Sequence, residues 1–417
     1  MNVAVDRYPP LSDTAAMIRE MEKDVALSER NYQRISKGQI HVSEDKAHVS
    51  HEVDCLMWVE RIENTAKRIA KSNGRPFRTD RSPRSLPTHT GSRYTLTSLG
   101  EAMWNLCRSG IPMIELACPS SRYKGRYSTS VVPFIKDGEL AHTDDMMVRF
   151  NPYIAVMLRA CQRAMPVIKA PGESNLDLSD ARIRNKLDWI VRFVRRACRS
   201  ARFKRLESNR ARLEKKNLKS CCRYMATGFD QFSSLLVLRV DLYIRPTHKT
   251  REDVRIAEKC LRLYLRALAD DGIVLDVKRW ICKRECGFDR GIHYHLLVAM
   301  DGHKHQSASA LSRILGEAWV RRCGPLRASY FNCYVRRHLF KYNALGSVHI
   351  SDQWMLMGIR EAIRYMVKGD GFVMTGHKRN LWRGNMPPAW QQPKRGAPRR
   401  ACNDMSLVNE ILGDVEA

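Results

Sequence analysis

Two histidines on one face of an expected strand are the residues best placed to do chemistry in this chain. From Gly291 to Asp301 apolar residues alternate with His293 and His295. Side chains alternate along a strand, so Ile292, Tyr294, Leu296, Val298 and Met300 share one side and the two imidazoles share the other. Paired imidazoles with one carboxylate can hold Mg²⁺ or Mn²⁺ and leave positions open for phosphate and water. Glu285 is the expected third ligand. With a hairpin turn centred near Asp289 it pairs across from His293 and faces the same way, whereas a one-residue slip turns it away. Asp241, on an earlier strand, is the reserve ligand. Further along, Tyr365 and Lys368 are spaced to share one face of an expected helix. A tyrosine there can serve as nucleophile, with the lysine lowering its pKa or stabilising phosphate charge.

Taken singly, each motif has a plainer reading. His293 and His295 could be hydrogen-bonded sheet histidines, and Tyr365 could pack on the core beside Ile363 and Met366. A second His-x-His, His303 and His305, falls in a polar turn where the rings need not converge, and it is rejected as a metal site. Cys282 and Cys286 lack the partnered second pair that a zinc knuckle needs.

The elements that must position these residues read as follows. Ser234 to Arg245 is an expected strand with Leu236, Leu238, Val240, Leu242 and Ile244 on one face. Arg239, Asp241 and Tyr243 lie on the other with Leu235 and Val237. Pro246 to Thr250 is an expected turn. Glu252 to Ala269 has a helical stripe (Ala257, Leu261, Tyr264, Leu268) that ends at Asp271 and Gly272. Ile273 to Glu285 is a second strand region and the histidine strand follows it. A helix then runs through Leu311, Leu315 and Trp319. Short strands at 329–335 and 346–350 precede a helix from about Asp352 to Lys368. This order argues for an α+β fold with an antiparallel sheet.

Earlier in the chain, residues 54–71 have helical periodicity through Leu56, Val59, Ile62 and Ala66, but residues 1–175 contain no catalytic pattern. Residues 176–225 form an expected basic helical segment whose apolar stripe includes Leu187, Ile190, Val191 and Val194. Its crowded cations, Arg195, Arg199 and Arg202 among them, would repel one another without a polyanion partner. Arg239 and the row Arg360, Arg364 and Lys368 are further expected contacts to DNA. Residues 226–392 form the expected catalytic domain, and 393–417 a flexible Pro/Arg-rich tail.

The 417 residues carry a formal net charge of +28, with 44% hydrophobic and 28% charged residues. That points to a globular chain with a nucleic-acid partner. No segment reads as a signal peptide or membrane span, which implies a soluble intracellular protein. The thirteen cysteines fit free thiols in that location.

Together Leu238 to Leu242, Glu285, His293-Tyr294-His295 and Tyr365 with Lys368 resemble the three ordered motifs of HUH endonucleases, a superfamily of rolling-circle replication initiators, relaxases and certain transposases. Trp280, the run from His293 to Gly302, Phe331-Asn332-Cys333, Arg379 and Arg383-Gly384 resemble replication-initiator-like proteins of filamentous bacteriophages (inoviruses) and related prophages. The resemblance spans residues 226–390. It implies a five-stranded antiparallel sheet, a divalent cation, origin nicking that leaves a 5′-phosphotyrosine, and the cytoplasm of a bacterial host. Some initiators carry a second tyrosine one helical turn away, but here those positions are Glu361 and Gly369. No Walker A loop is present, so unwinding needs a separate helicase. A non-catalytic nucleic-acid-binding regulator on the same scaffold is the reading from another class.

Overall fold

The computed structural model describes residues 41–43, 46–48, 51–79, 94–112, 114, 134–136, 139–141, 148–168, 176–244, 251–287, 291–340, 342–368, 373–375, 380–387 and 405–413. The expected turns at 246–250 and around Asp289, and Arg379, lie outside them.

Among the described residues the N-terminal half is mainly helical. It contains α1 (His51–Lys71), α2 (Ser98–Asn105), α3 (Pro152–Ile168) and α4 (Ala181–Arg199). They bury one core through Val59, Ile62 and Ala66 of α1, Met103 of α2, Ile154 and Met157 of α3, and Leu187, Ile190 and Val194 of α4. The basic segment is therefore not a free-standing unit, because its apolar stripe completes this core. It is also two helices. Ser200 turns to an extended conformation, and its Oγ accepts from Phe203 N–H (3.2 Å), starting α5 (Ala201–Ala226). Phe203 still packs in the N-terminal core, while Cys221, Cys222, Tyr224 and Met225 pack in the next one. Between Lys204 and Ser220 no side chain is buried, so α5 bridges the two cores over roughly 25 Å at 1.5 Å per residue.

The C-terminal half is an α+β sandwich. Its strands are β1 (Ser234–Ile244), β2 (Val277–Gly287), β3 (Gly291–Asp301), β4 (Ala328–Asn332), β5 (Gly346–His349) and β6 (Leu381–Arg383). Every pairing in this sheet is antiparallel. The sheet has six strands rather than the five implied by the resemblance. β4 and β5 share one edge of β1, then come β3, β2 and β6. β6 is a three-residue strand flanked by polar residues, too short for a period-2 pattern to reveal.

Both faces of the central strands are covered, so β1 reads as an almost unbroken apolar run. One face carries Leu236, Leu238, Val240, Tyr294, Leu296 and Val298 beneath α6 (Arg251–Ala269) and α7 (Ala308–Cys323). Opposite it, Leu235, Val237, Leu297 and Ala299 pack with α8 (Gln353–Val367) and the end of α5. Asp271, in the left-handed region at φ 56°, ends α6, and Gly272 N–H returns to Ala267 O (2.7 Å). Asp352 caps α8 by accepting from Met355 N–H (3.1 Å).

The expected flexible tail is corrected in part. Residues 405–413 are helical, and Val408, Ile411 and Leu412, at i, i+3 and i+4, are fully buried in the core that α8 lines. Nine cysteines among the described residues are buried free thiols. No helix among the described residues is long and apolar enough to cross a membrane.

Candidate metal centre and its tyrosine

The hairpin register decides the site. β2 and β3 pair His293 with Glu285 and His295 with Lys283, while β1 and β3 pair His293 with Tyr243 and His295 with Asp241. Glu285, His293 and His295 offer ligand atoms that all lie within 4.8 Å of one another, and they are the metal-competent group among the described residues. Glu285 Oε2 is 3.1 Å from His295 Nε2 and 3.6 Å from His293 Nε2. The two imidazole rings stand 5.0 Å apart at 84°, and Tyr243 stacks on His293 at 5.6 Å.

Asp241, the reserve ligand, has a different place. Its Oδ1 lies 2.7 Å from Nδ1 of His295, on the far side of the ring from Glu285. A carboxylate only accepts, so Nδ1 carries the proton and donates to Asp241. Arg239 Nη2, 3.0 Å from the same nitrogen, then contributes charge rather than a hydrogen bond. This arrangement directs the lone pair of Nε2 toward Glu285, the orientation a metal-binding histidine needs. That Nε2 is buried without a hydrogen bond. The orphaned nitrogen, its paired imidazole and a carboxylate fit a divalent cation.

Burial alone would raise both carboxyls, yet their neighbours prevail. The Arg239 guanidinium and the His295 ring hold Asp241 well below the usual carboxylate range. His295 and His293 do the same for Glu285. Burial would lower His295, but Asp241 and Glu285 raise it.

Tyr365 meets this group from α8. Its ring stands 5.5 Å from that of His295 at 71°, and the Arg239 guanidinium lies 4.9 Å from its centroid. Part of the ring also packs on the core. Lys368 caps α8: its N–H still bonds Arg364 O (2.9 Å), and the chain turns out of the helical path after it.

Two expected DNA contacts are corrected, and a third, Arg195, is engaged by backbone carbonyls. Arg360 is 5% exposed and donates to Ile411 O (2.8 Å), so the returning terminal segment covers it. Arg195 donates from Nε to Ile69 O (3.2 Å) and from Nη2 to Gly74 O, tying α4 to the end of α1. Arg239 is buried beside Asp241, its Nε 3.1 Å from Oδ1. It belongs to the metal group rather than to an outer surface. Arg364 is half-buried and pairs with Glu361 (2.9 Å). Arg199 and Arg202 remain on the exposed face.

Sequence reasoning missed Lys283. It is 5% exposed and pairs in register with His295, on the site face of the sheet. Its signal was the same alternation that places Glu285, two residues on. At Cys333, burial pushes the thiol well up, with Asp241 beside it raising it further. Arg383 instead supports the fold, with Nε on Ser220 Oγ (3.2 Å) and its guanidinium over Tyr224.

The rejected clusters stay apart from this group. His303 bonds Ser233 Oγ (2.9 Å), and His305 lies 3.7 Å from Asp276. Cys282 is in the core on the opposite face of the sheet.

Compared with known proteins, the chain matches no family model, no curated protein and no solved structure.

Proposed function

We propose that this chain is a metal-assisted endonuclease and strand transferase for single-stranded DNA, with Tyr365 as nucleophile. One observation carries the reading: the Tyr365 ring lies against His295 and Arg239, at the group able to hold a cation. Glu285, His293 and His295 would hold Mg²⁺ or Mn²⁺. Such a cation, when bound, polarises the non-bridging oxygens of a phosphodiester.

The chain's own residues do the rest. Asp241 keeps His295 in the tautomer that offers Nε2. Arg239 places positive charge at the tyrosine ring and favours the phenolate. The phenolate oxygen forms a bond to phosphorus as the bond from phosphorus to the 3′ oxygen breaks. The phenol proton passes to solvent, and the 3′ oxygen takes one up. The products are a 5′-phosphotyrosine and a free 3′-hydroxyl, and the covalent bond conserves the energy needed for rejoining. Lys368, three residues after Tyr365, would offset phosphate charge, and Lys283, in register with His295, is a second candidate.

The biological setting proposed is initiation of rolling-circle replication at a phage or prophage origin, with a separate helicase. Relaxase or transposase use of the same chemistry is the neighbouring reading. The packing of Tyr365 on the core favours the rival view, a binding protein in which this tyrosine is structural. A covalent-trapping assay separates them. The full chain is mixed with oligonucleotides tiling the DNA around its own gene, with Mn²⁺ or EDTA, and run on a denaturing gel. A metal-dependent adduct lost in Tyr365→Phe, with binding retained, supports the enzyme. An adduct unchanged in Tyr365→Phe removes Tyr365 as nucleophile, and no adduct on a proven binding target favours the regulator.

A further inference from the structure

A cleft of about 670 Å³ opens between the end of α1, the turn after it and the first turn of α2. Lys67, Arg68, Lys71 and Arg75 line it with the hydroxyls of Thr97 and Ser98, and its described wall carries no carboxylate. Of the four cations, only Lys67 pairs with a carboxylate among the described residues, Glu63 at 2.6 Å. Arg68 Nη2 donates instead to Ser98 Oγ (3.2 Å). The other three like charges around one concavity repel unless an anion enters it. Thr97 Oγ1 caps the Gly100 amide (3.3 Å), and the N-terminus of α2 adds partial positive charge at the same wall.

The positive surface continues beyond the cleft. Arg199 Nη2 donates to Asn73 Oδ1 (3.2 Å), between wall residues Ser72 and Gly74. Through it the exposed cations of α4, Arg192, Arg196 and Arg199, reach the mouth of the cleft. Sites for small organic ligands are mostly apolar and enclose the ligand. This cleft is open: its wall surface is mostly apolar, with Leu99 its single large apolar residue, and the charge runs outward past it. An occupant that extends past the cleft suits both features.

We propose that this cleft seats phosphates of a nucleic-acid strand that runs on along the exposed cations of α4. The site belongs to the N-terminal core and is separate from the Glu285, His293 and His295 group. It rests on the shape and charge of the cleft, not on the cutting chemistry.

The test is fluorescence anisotropy of a labelled single-stranded oligonucleotide with the full chain in EDTA, so that cutting plays no part. Lys71→Glu/Arg75→Glu is compared with Arg262→Glu/Arg266→Glu, an equal change of charge on exposed positions of α6. The cleft pair is expected to weaken binding at least about tenfold in roughly 100 mM salt. It should also flatten the slope of log K against log salt by about 1.4, two contacts at about 0.7 each. The α6 pair should leave the slope unchanged. Equal effects from both pairs, or none from the cleft pair, overturn the proposal. A second arm uses labelled ATP with inorganic phosphate as competitor. If the cleft pair loses ATP binding and keeps full strand affinity, the cleft serves a free phosphate ligand and the proposal fails. Thermal melting checks both folds. Should reversal of charge unfold the chain, Lys71→Gln/Arg75→Gln carries the same expectation. A negative trapping result at Tyr365 leaves all of these outcomes intact.

Discussion

At His295 the two ring nitrogens have separate tasks: Nδ1 donates to Asp241, and Nε2 faces Glu285. The donation to Asp241 fixes the tautomer, so a change at Asp241 should be felt by a metal it never touches. Asp241→Asn is expected to weaken Mn²⁺ binding by about 10- to 100-fold, read by calorimetry; unchanged affinity would remove Asp241 from this role. The sign of the pH dependence follows from His295. Its pKa is raised in the folded chain by Asp241 and Glu285 against the effect of burial. In the metal-free protein its contribution to stability is therefore full below about 6.5 and is lost as pH rises through the raised value. A cation competes with the proton for Nε2, so metal affinity should rise over that same interval with proton release. Melting temperatures with EDTA and with Mn²⁺ should diverge as pH rises from 6 to 8, and parallel curves would sink the assignment.

Among the elements, α8 decides where Tyr365 stands, and Gly358 decides where α8 stands. A Cβ on Gly358 would lie 2.4 Å from the carbonyl oxygen of Asn343 and 2.6 Å from its carbon. Those are backbone atoms, which cannot swing aside. Gly358→Ala gains about 1 kcal/mol of helix propensity, but overpacking costs typically about 1–3 kcal/mol and should prevail. The expected result is a lower melting temperature and less tyrosine adduct at unchanged metal affinity, because the ligands sit on β2 and β3. A variant with wild-type stability and adduct yield would show that α8 tolerates the shift. The register of β2 and β3 is the other decisive element property. It was legible because His293 and His295 alternate with apolar residues in β3 and the connection to β2 is short.

Across the whole molecule, two cores are joined by α5, which is exposed and cationic between its buried ends. The net charge of +28 is thus concentrated partly on a helix that has little to pack against. The terminal segment closes the second core by covering Arg360 and burying Val408, Ile411 and Leu412. Ile411→Ala should destabilise the chain by about 2–5 kcal/mol, measured by urea unfolding. A change below about 0.5 kcal/mol would mean that this segment is not part of the core.

Local pattern determined much of this protein. Alternation placed His293 and His295 on one face, with Glu285 added by the expected turn near Asp289, and helical stripes located α1, α6 and α7, because these periods are written in neighbouring residues. The surplus of cations likewise announced a polyanion partner without saying where it sits. Tertiary structure decided which cations face outward. Arg360 and Arg195 read as surface charges, but the acceptors that hold them belong to segments distant in the chain. It also turned Asp241 from ligand to supporting partner, since only the β1–β3 pairing puts its carboxylate behind His295. The same holds for the cleft at α1 and α2: its four cations are neighbours in the chain, but the facing wall, Thr97 to Leu99, meets them only when the two helix ends come together, and no period in the sequence records that meeting.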